Sequence, residues 1–166
     1  MMKRLTPVAL LMLVGVSVAT TADAQAVSGD AELGFSASFT HYTDGADSDG
    51  SLVADVRYAR FLTDAFQLGG SVTAGGPIDD LDELVLVGVY GAYHFSPAAT
   101  STWYAKGGYL AVADDPGKGF LDLAGGFKSY FKENVAFFWE AGYGFGISSD
   151  VDGGIVRSTT GLLFTF

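Results

Sequence analysis

The sequence predicts an all-β fold: eight antiparallel strands, each paired to the next, closed up-and-down into a barrel. Three observations predict it. Beyond the N-terminal segment no stretch keeps a helical period, and alternation of apolar and polar residues recurs instead. Clusters of Gly, Asp, Ser and Pro break that alternation into short segments. The last segment runs to the final residue, with Leu162, Phe164 and Phe166 on one face of a strand and Gly161, Leu163 and Thr165 on the other.

The N-terminus reads as a secretory signal peptide, residues 1–24. Lys3 and Arg4 supply a short positive region, Pro7 to Val18 is nearly all apolar, and Ala22-Asp23-Ala24 offers small residues around a cut. The apolar run is shorter than the roughly 20 residues that a bilayer-spanning helix needs. Cleavage after Ala24 leaves a domain over residues 25–166. No cysteine follows the apolar run, which excludes a lipid-anchored N-terminus, disulfides and thiolate chemistry.

The predicted strands span roughly 30–42, 51–62, 65–75, 83–95, 102–112, 118–131, 135–147 and 155–166. The first sets Leu33, Phe35, Ala37 and Phe39 against Glu32, Gly34, Ser36 and Ser38. The second sets Leu52, Ala54, Val56 and Tyr58 against Asp55 and Arg57. The third sets Phe66, Leu68 and Val72 against Gln67, Ser71 and Thr73. The fourth is less clean, with Val85, Val87, Val89, Tyr93 and Phe95 opposite Leu84, Leu86, Gly88, Tyr90 and His94. The fifth sets Trp103, Ala105, Gly107 and Tyr109 against Tyr104, Lys106 and Gly108. The sixth opposes Leu121, Leu123, Phe127 and Phe131 to Asp122, Gly126 and Lys128. The seventh opposes Val135, Phe137, Trp139, Tyr143 and Phe145 to Glu140 and glycines 142, 144 and 146. The eighth opposes Leu162, Phe164 and Phe166 to Arg157, Thr159 and Thr165.

One face therefore collects aromatics and aliphatics, and the other collects Gly, Ser, Thr and nearly every strand charge. Two architectures satisfy that alternation: a soluble lipocalin-like barrel with its apolar face around a ligand, or a membrane barrel with its apolar face to lipid. The connections favour the membrane. Thr63-Asp64, Ser96 to Ser101 and Lys132-Glu133-Asn134 are compact. Thr43 to Gly50, Gly75 to Asp82, Ala113 to Gly117 and Ser148 to Gly154 are acidic and glycine-rich. That alternation matches short periplasmic turns and longer outer loops.

The terminal strand ending on Phe166 resembles that of bacterial outer-membrane β-barrel proteins. The strand-turn-strand segments Tyr58 to Phe66 and Gly125 to Asn134 resemble the small barrel family typified by outer-membrane protein A. The resemblance implies an eight-stranded antiparallel up-and-down transmembrane β-barrel in the cell outer membrane, without that family's C-terminal peptidoglycan-binding domain. It also implies that Phe164 and Phe166 act as an assembly signal read by the barrel assembly machinery. It carries no specific activity, since the family includes anchors, adhesins and lipid-modifying enzymes.

Eight charged residues share the polar face: Glu32, Asp55, Arg57, Lys106, Asp122, Lys128, Glu140 and Arg157. A narrow eight-stranded barrel is about wide enough for side chains to fill. Charges inside it must be paired or hydrated. The expectation is an ion-pair network filling the lumen, with Lys128 near Glu140, Lys106 near Asp122, and Asp55 beside Arg57. A gated, narrow channel is the alternative.

The outer loops carry Asp44, Asp47, Asp49, Asp79, Asp80, Asp82, Asp114, Asp115, Asp150 and Asp152. Solvated loops are the ordinary reading. Divalent cations bridging them weakly to anionic lipopolysaccharide are the functional one, although the first loop lacks EF-hand spacing. His41, near Ser51 and the first loop, is the one residue placed for lipid A chemistry, and no spaced catalytic motif surrounds it. The two distant histidines make a zinc site unexpected. The glycine doublets precede no helix and are not phosphate loops. A net charge of −10 disfavours nucleic acid. The sequence thus points to no cofactor and to a non-enzymatic structural or surface-interaction role.

Overall fold

The computed structural model describes residues 27–42, 50–77, 84–147 and 154–166. Eight strands follow in chain order: β1 (Ala31–Tyr42), β2 (Gly50–Phe61), β3 (Phe66–Pro77), β4 (Leu84–His94), β5 (Ser101–Val112), β6 (Asp115–Lys132), β7 (Val135–Gly146) and β8 (Gly154–Thr165). Each pairs antiparallel with the next, and β8 pairs with β1, so the sheet is a closed barrel. Closure leaves no strand edge to be satisfied elsewhere. No described residue lies in a helix. The signal-peptide residues and the acidic stretches holding Asp44, Asp47, Asp49, Asp79, Asp80, Asp82, Asp150 and Asp152 lie outside the described residues.

The strand order follows from short turns that chemistry fixes locally. In the β2–β3 turn the Phe66 amide donates to Thr63 Oγ1 at 3.0 Å, and the Leu62 amide donates to the Phe66 carbonyl at 2.9 Å. In the β4–β5 turn the Ala99 amide donates to the Ser96 carbonyl, and the Ser96 amide donates to Thr102 Oγ1. The third outer connection differs from expectation. Strand β6 begins at Asp115, not near residue 118, so Ala113 and Asp114 alone make the turn. The cause is a register shift at Ala111 and Val112 that lets Val112 face Asp115 and prolongs the ladder.

Side-chain burial follows the two-residue period and has the polarity of a membrane barrel. Phe35, Phe39, Leu52, Val56, Leu68, Val72, Val89, Trp103, Leu123 and Leu162 are all exposed on the outer wall. Glu32, Asp55, Arg57, Lys106, Asp122, Lys128 and Glu140 are all buried. An apolar wall around a charged lumen is the reverse of a soluble ligand-binding barrel, whose lumen would be apolar. The lumen also holds inward aromatic and aliphatic chains. Tyr130, Ala136, Phe138 and Leu163 cluster at the end where the termini lie, and Leu110, Phe120 and Ile155 cluster toward the opposite end.

Candidate functional site: the charged lumen

Glu140 is the hub of the central layer. Strand β7 alternates Phe137 and Trp139 outward, which turns Phe138 and Glu140 inward. One Glu140 oxygen, Oε2, accepts from Arg57 Nη1 at 3.3 Å and from the Tyr104 hydroxyl at 3.0 Å. The other, Oε1, accepts from Lys106 Nζ and from Arg157 Nη2, the latter at 3.3 Å. Two more carboxylates balance these cations. Asp122 lies 2.7 Å from Arg157 Nη2 and 3.8 Å from Lys106 Nζ. Asp55 takes Arg57 Nε at 3.2 Å, with the Ser36 and Thr73 hydroxyls at 3.0 Å each. The guanidinium of Arg57 also lies over the Phe138 ring, 4.2 Å from its centroid. That position suits the ring's negative face.

Glu32 is the hub of a second layer nearer the chain termini. Lys128 Nζ lies 2.7 Å from both Glu32 oxygens. Gln67 Nε2 donates to Oε2 at 2.6 Å, and the Tyr130 hydroxyl donates to Oε1 at 3.0 Å. His94 Nε2 lies 3.4 Å from Gln67 Oε1, its ring packed between Phe61 and Tyr104. His94 therefore belongs to the lumen floor. Each hub carries the same clasp, a Lys and a Tyr two apart on one strand meeting one Glu: Tyr104 and Lys106 on Glu140, Lys128 and Tyr130 on Glu32.

All eight sequence-selected charges thus meet a partner of opposite sign. The expected pairing of Lys128 with Glu140 is not what forms. Gly126 is the register partner of Glu140, so Lys128 sits one step diagonal to it. A diagonal neighbour is about 7–8 Å away along the wall. Glu140 is already engaged by four donors, and Glu32 projects from the opposite wall at the level of Lys128. Lys106 does lie near Asp122, yet Glu140 is its closer partner. Sequence reasoning gave no role to Phe61, Phe138 and Tyr130, which line the same lumen. Their parity was the available signal, since Phe61 shares a face with Arg57, Phe138 with Glu140 and Tyr130 with Lys128.

Two small voids flank the Glu140 hub. One of about 20 Å³ is lined by Ser38, Asp55, Thr73, Asp122, Arg157 and Thr159, among others. One of about 10 Å³ lies between the two layers. Each has room for about one water molecule. Arg157 Nε, which no protein group satisfies, is the buried side-chain polar atom lacking a partner among the described residues.

At the seam, the Ala31 amide donates to the Phe166 carbonyl and the Phe166 amide to the Ala31 carbonyl, each at 2.9 Å. Phe164 and Phe166 point outward, and Phe164 meets Phe35 edge-on with centroids 6.3 Å apart. At the far end of β1 the His41 backbone pairs with Gly50 and Val156.

No family model matches the sequence, and no curated protein matches it. Solved structures do. The N-terminal β-barrel domain of Pseudomonas aeruginosa OprF superposes with a TM-score of 0.62 at 19% identity, over 84% of this chain and 98% of that one. Neisserial surface protein A gives 0.69 at 9% identity, over 84% and 100%. The outer membrane protein OprG of Pseudomonas aeruginosa gives 0.55 at 12% identity, over 88% and 99%. At these identities the likeness is one of fold, and the fold is that of the small eight-stranded outer-membrane barrels.

Proposed function

We propose that this chain is a small outer-membrane β-barrel protein with a structural or surface-interaction role, its lumen filled by an ion-pair network. The carrying observation is the polarity of the barrel: apolar side chains face out along every strand, while eight charges inside pair with one another. Such a wall is stable only in lipid, and among the described residues the lumen charges are paired, leaving none to draw an ion through. The similar solved barrels include proteins named for the outer membrane and for the surface, which supports the location.

The partners that fit this reading are outer-membrane lipid and lipopolysaccharide around the wall, and the barrel assembly machinery at the strand ending on Phe164 and Phe166. Divalent cations at the acidic outer loops would bridge them to lipopolysaccharide. The role is not enzymatic: the lumen carboxylates, lysines and arginines are spent on one another rather than aimed at a substrate.

Cell fractionation tests the location. The protein should sediment with outer membranes and migrate differently on gels before and after heating. Recovery as a soluble periplasmic protein overturns the proposal. Mass spectrometry of lipid A tests the role, and cells with and without the protein, or with His41→Ala, should give the same acyl pattern. An acyl chain gained with the protein and lost in the His41→Ala strain would make it a lipid A-modifying enzyme.

A further inference from the structure

We infer that the lumen is closed twice, by two electrically neutral seals that hold independently of each other. The inference rests on the closed-barrel reading above and goes beyond it. The outer seal holds Arg57, Lys106 and Arg157 against Asp55, Asp122 and Glu140, three charges of each sign. The inner seal holds Lys128 against Glu32, one of each, clasped by Gln67 and Tyr130. Among the described residues no ion pair or hydrogen bond joins a charge of one seal to a charge of the other. A void of about 10 Å³ separates them, with Glu32, Gln67 and Lys128 on one side and Arg57, Tyr104 and Lys106 on the other.

Independence follows from the charge balance, since the layers meet through rings and not through charges: His94, beside Gln67, packs on Tyr104, which bonds Glu140. Breaking a pair inside one seal strands its charge only there, because the other seal remains neutral and fully clasped. A permeating ion would meet two closures in series, with space for about one water between them. Opening either leaves the other shut.

Planar-bilayer recording tests this. Lys106→Ala with Glu140→Ala opens the outer seal, and Glu32→Ala with Lys128→Ala opens the inner one. Each pair removes one charge of each sign and leaves no net charge behind. Wild type and both paired variants should stay silent, and the fourfold variant should show steady current steps. Steps in either paired variant would reduce the closure to one seal and overturn the inference. A fourfold variant that is silent, yet folded by its heat-modifiable migration, would overturn it as well. Steps in wild type would instead remove the closed-barrel reading itself.

Unfolding equilibria keep the inference testable if the fourfold variant does not fold. Tyr104→Phe and Tyr130→Phe, each removing one uncharged clasp from its own seal, should together change the unfolding constant by the product of their single effects, within about twofold. Lys106→Met and Glu140→Gln, inside one seal, should depart from the product by about tenfold or more. Equal coupling within and between seals would make them one network and overturn the proposal.

Discussion

Lys128 and Glu32 lie 96 residues apart in the chain, and the Lys128 ammonium sits 2.7 Å from each oxygen of the Glu32 carboxylate. Strands β6 and β1 are not neighbours in the sheet, so the pair spans the lumen and ties opposite walls together. Both groups are almost wholly sequestered from water.

Removing either partner strands a buried charge. Glu32→Gln or Lys128→Met should each cost about 3–5 kcal/mol in denaturant unfolding from lipid vesicles. The double change should recover part of that loss, because it strands nothing. A cycle between Lys128→Met and Glu140→Gln should show little coupling. Strong coupling there, with none to Glu32, would reverse the pairing described above.

Two adjacent glycines should respond oppositely to alanine. A Cβ on Gly126 would meet the Tyr104 ring, 2.7 Å from Cε1 and closer to Cζ, so Gly126→Ala must push that ring off Glu140. The expected cost is about 1–3 kcal/mol of overpacking. A Cβ on Gly125 points outward and finds nothing nearer than the Tyr104 carbonyl at 4.0 Å. Gly125→Ala should change stability by about 0.5 kcal/mol or less. Equal effects in vesicle unfolding would mean that the Tyr104 ring yields freely.

The outer wall can be tested by a single charge. Val89 is 63% exposed on β4, midway between the strand's ends. Val89→Arg should cost about 2–4 kcal/mol in a lipid bilayer, since it places a guanidinium against hydrocarbon. A near-zero cost in vesicles would show this face to be wetted.

Phe166 contributes two separable things. Its backbone exchanges two hydrogen bonds with Ala31, and its ring stands 70% exposed outside the barrel. Deleting Phe166 should slow membrane insertion both in cells and in pure vesicles, because the seam loses its last rungs. Phe166→Ala keeps the backbone and, on the proposed recognition of this side chain by the assembly machinery, should slow insertion chiefly in cells. Unchanged insertion kinetics for Phe166→Ala in cells would remove that recognition role.

Much of this architecture is legible in the sequence because a strand has a period of two. Asp55 and Arg57 are two apart, so one assignment places both, and the same holds for Lys106 with Gly108 and for Glu140 with Gly142. Pair partners were less legible. They depend on which opposite wall a long side chain reaches, and that is set by the tilt and stagger of strands far apart in sequence. Hence Asp55–Arg57, on one strand, was foreseeable, whereas Lys128–Glu32 was not. The inward Phe138 and Phe61 are hidden in the sequence for another reason. The polar-inside rule describes a wide, wet lumen, and a narrow one also accepts rings stacked beneath the charges. The long outer connection expected around Asp114 failed because β6 continues its ladder to Asp115.

The seam between β1 and β8 has a consequence for how the protein is made. Residues 32–42 find one of their two neighbours only in residues 155–165. Strand β1 must therefore keep a full row of amide and carbonyl groups unsatisfied until β8, made more than a hundred residues later, is in place. During that interval the chain is an open sheet with a greasy face and a sticky margin, the combination most prone to join another copy of itself. Any delay in delivering β8 lengthens the exposure of β1.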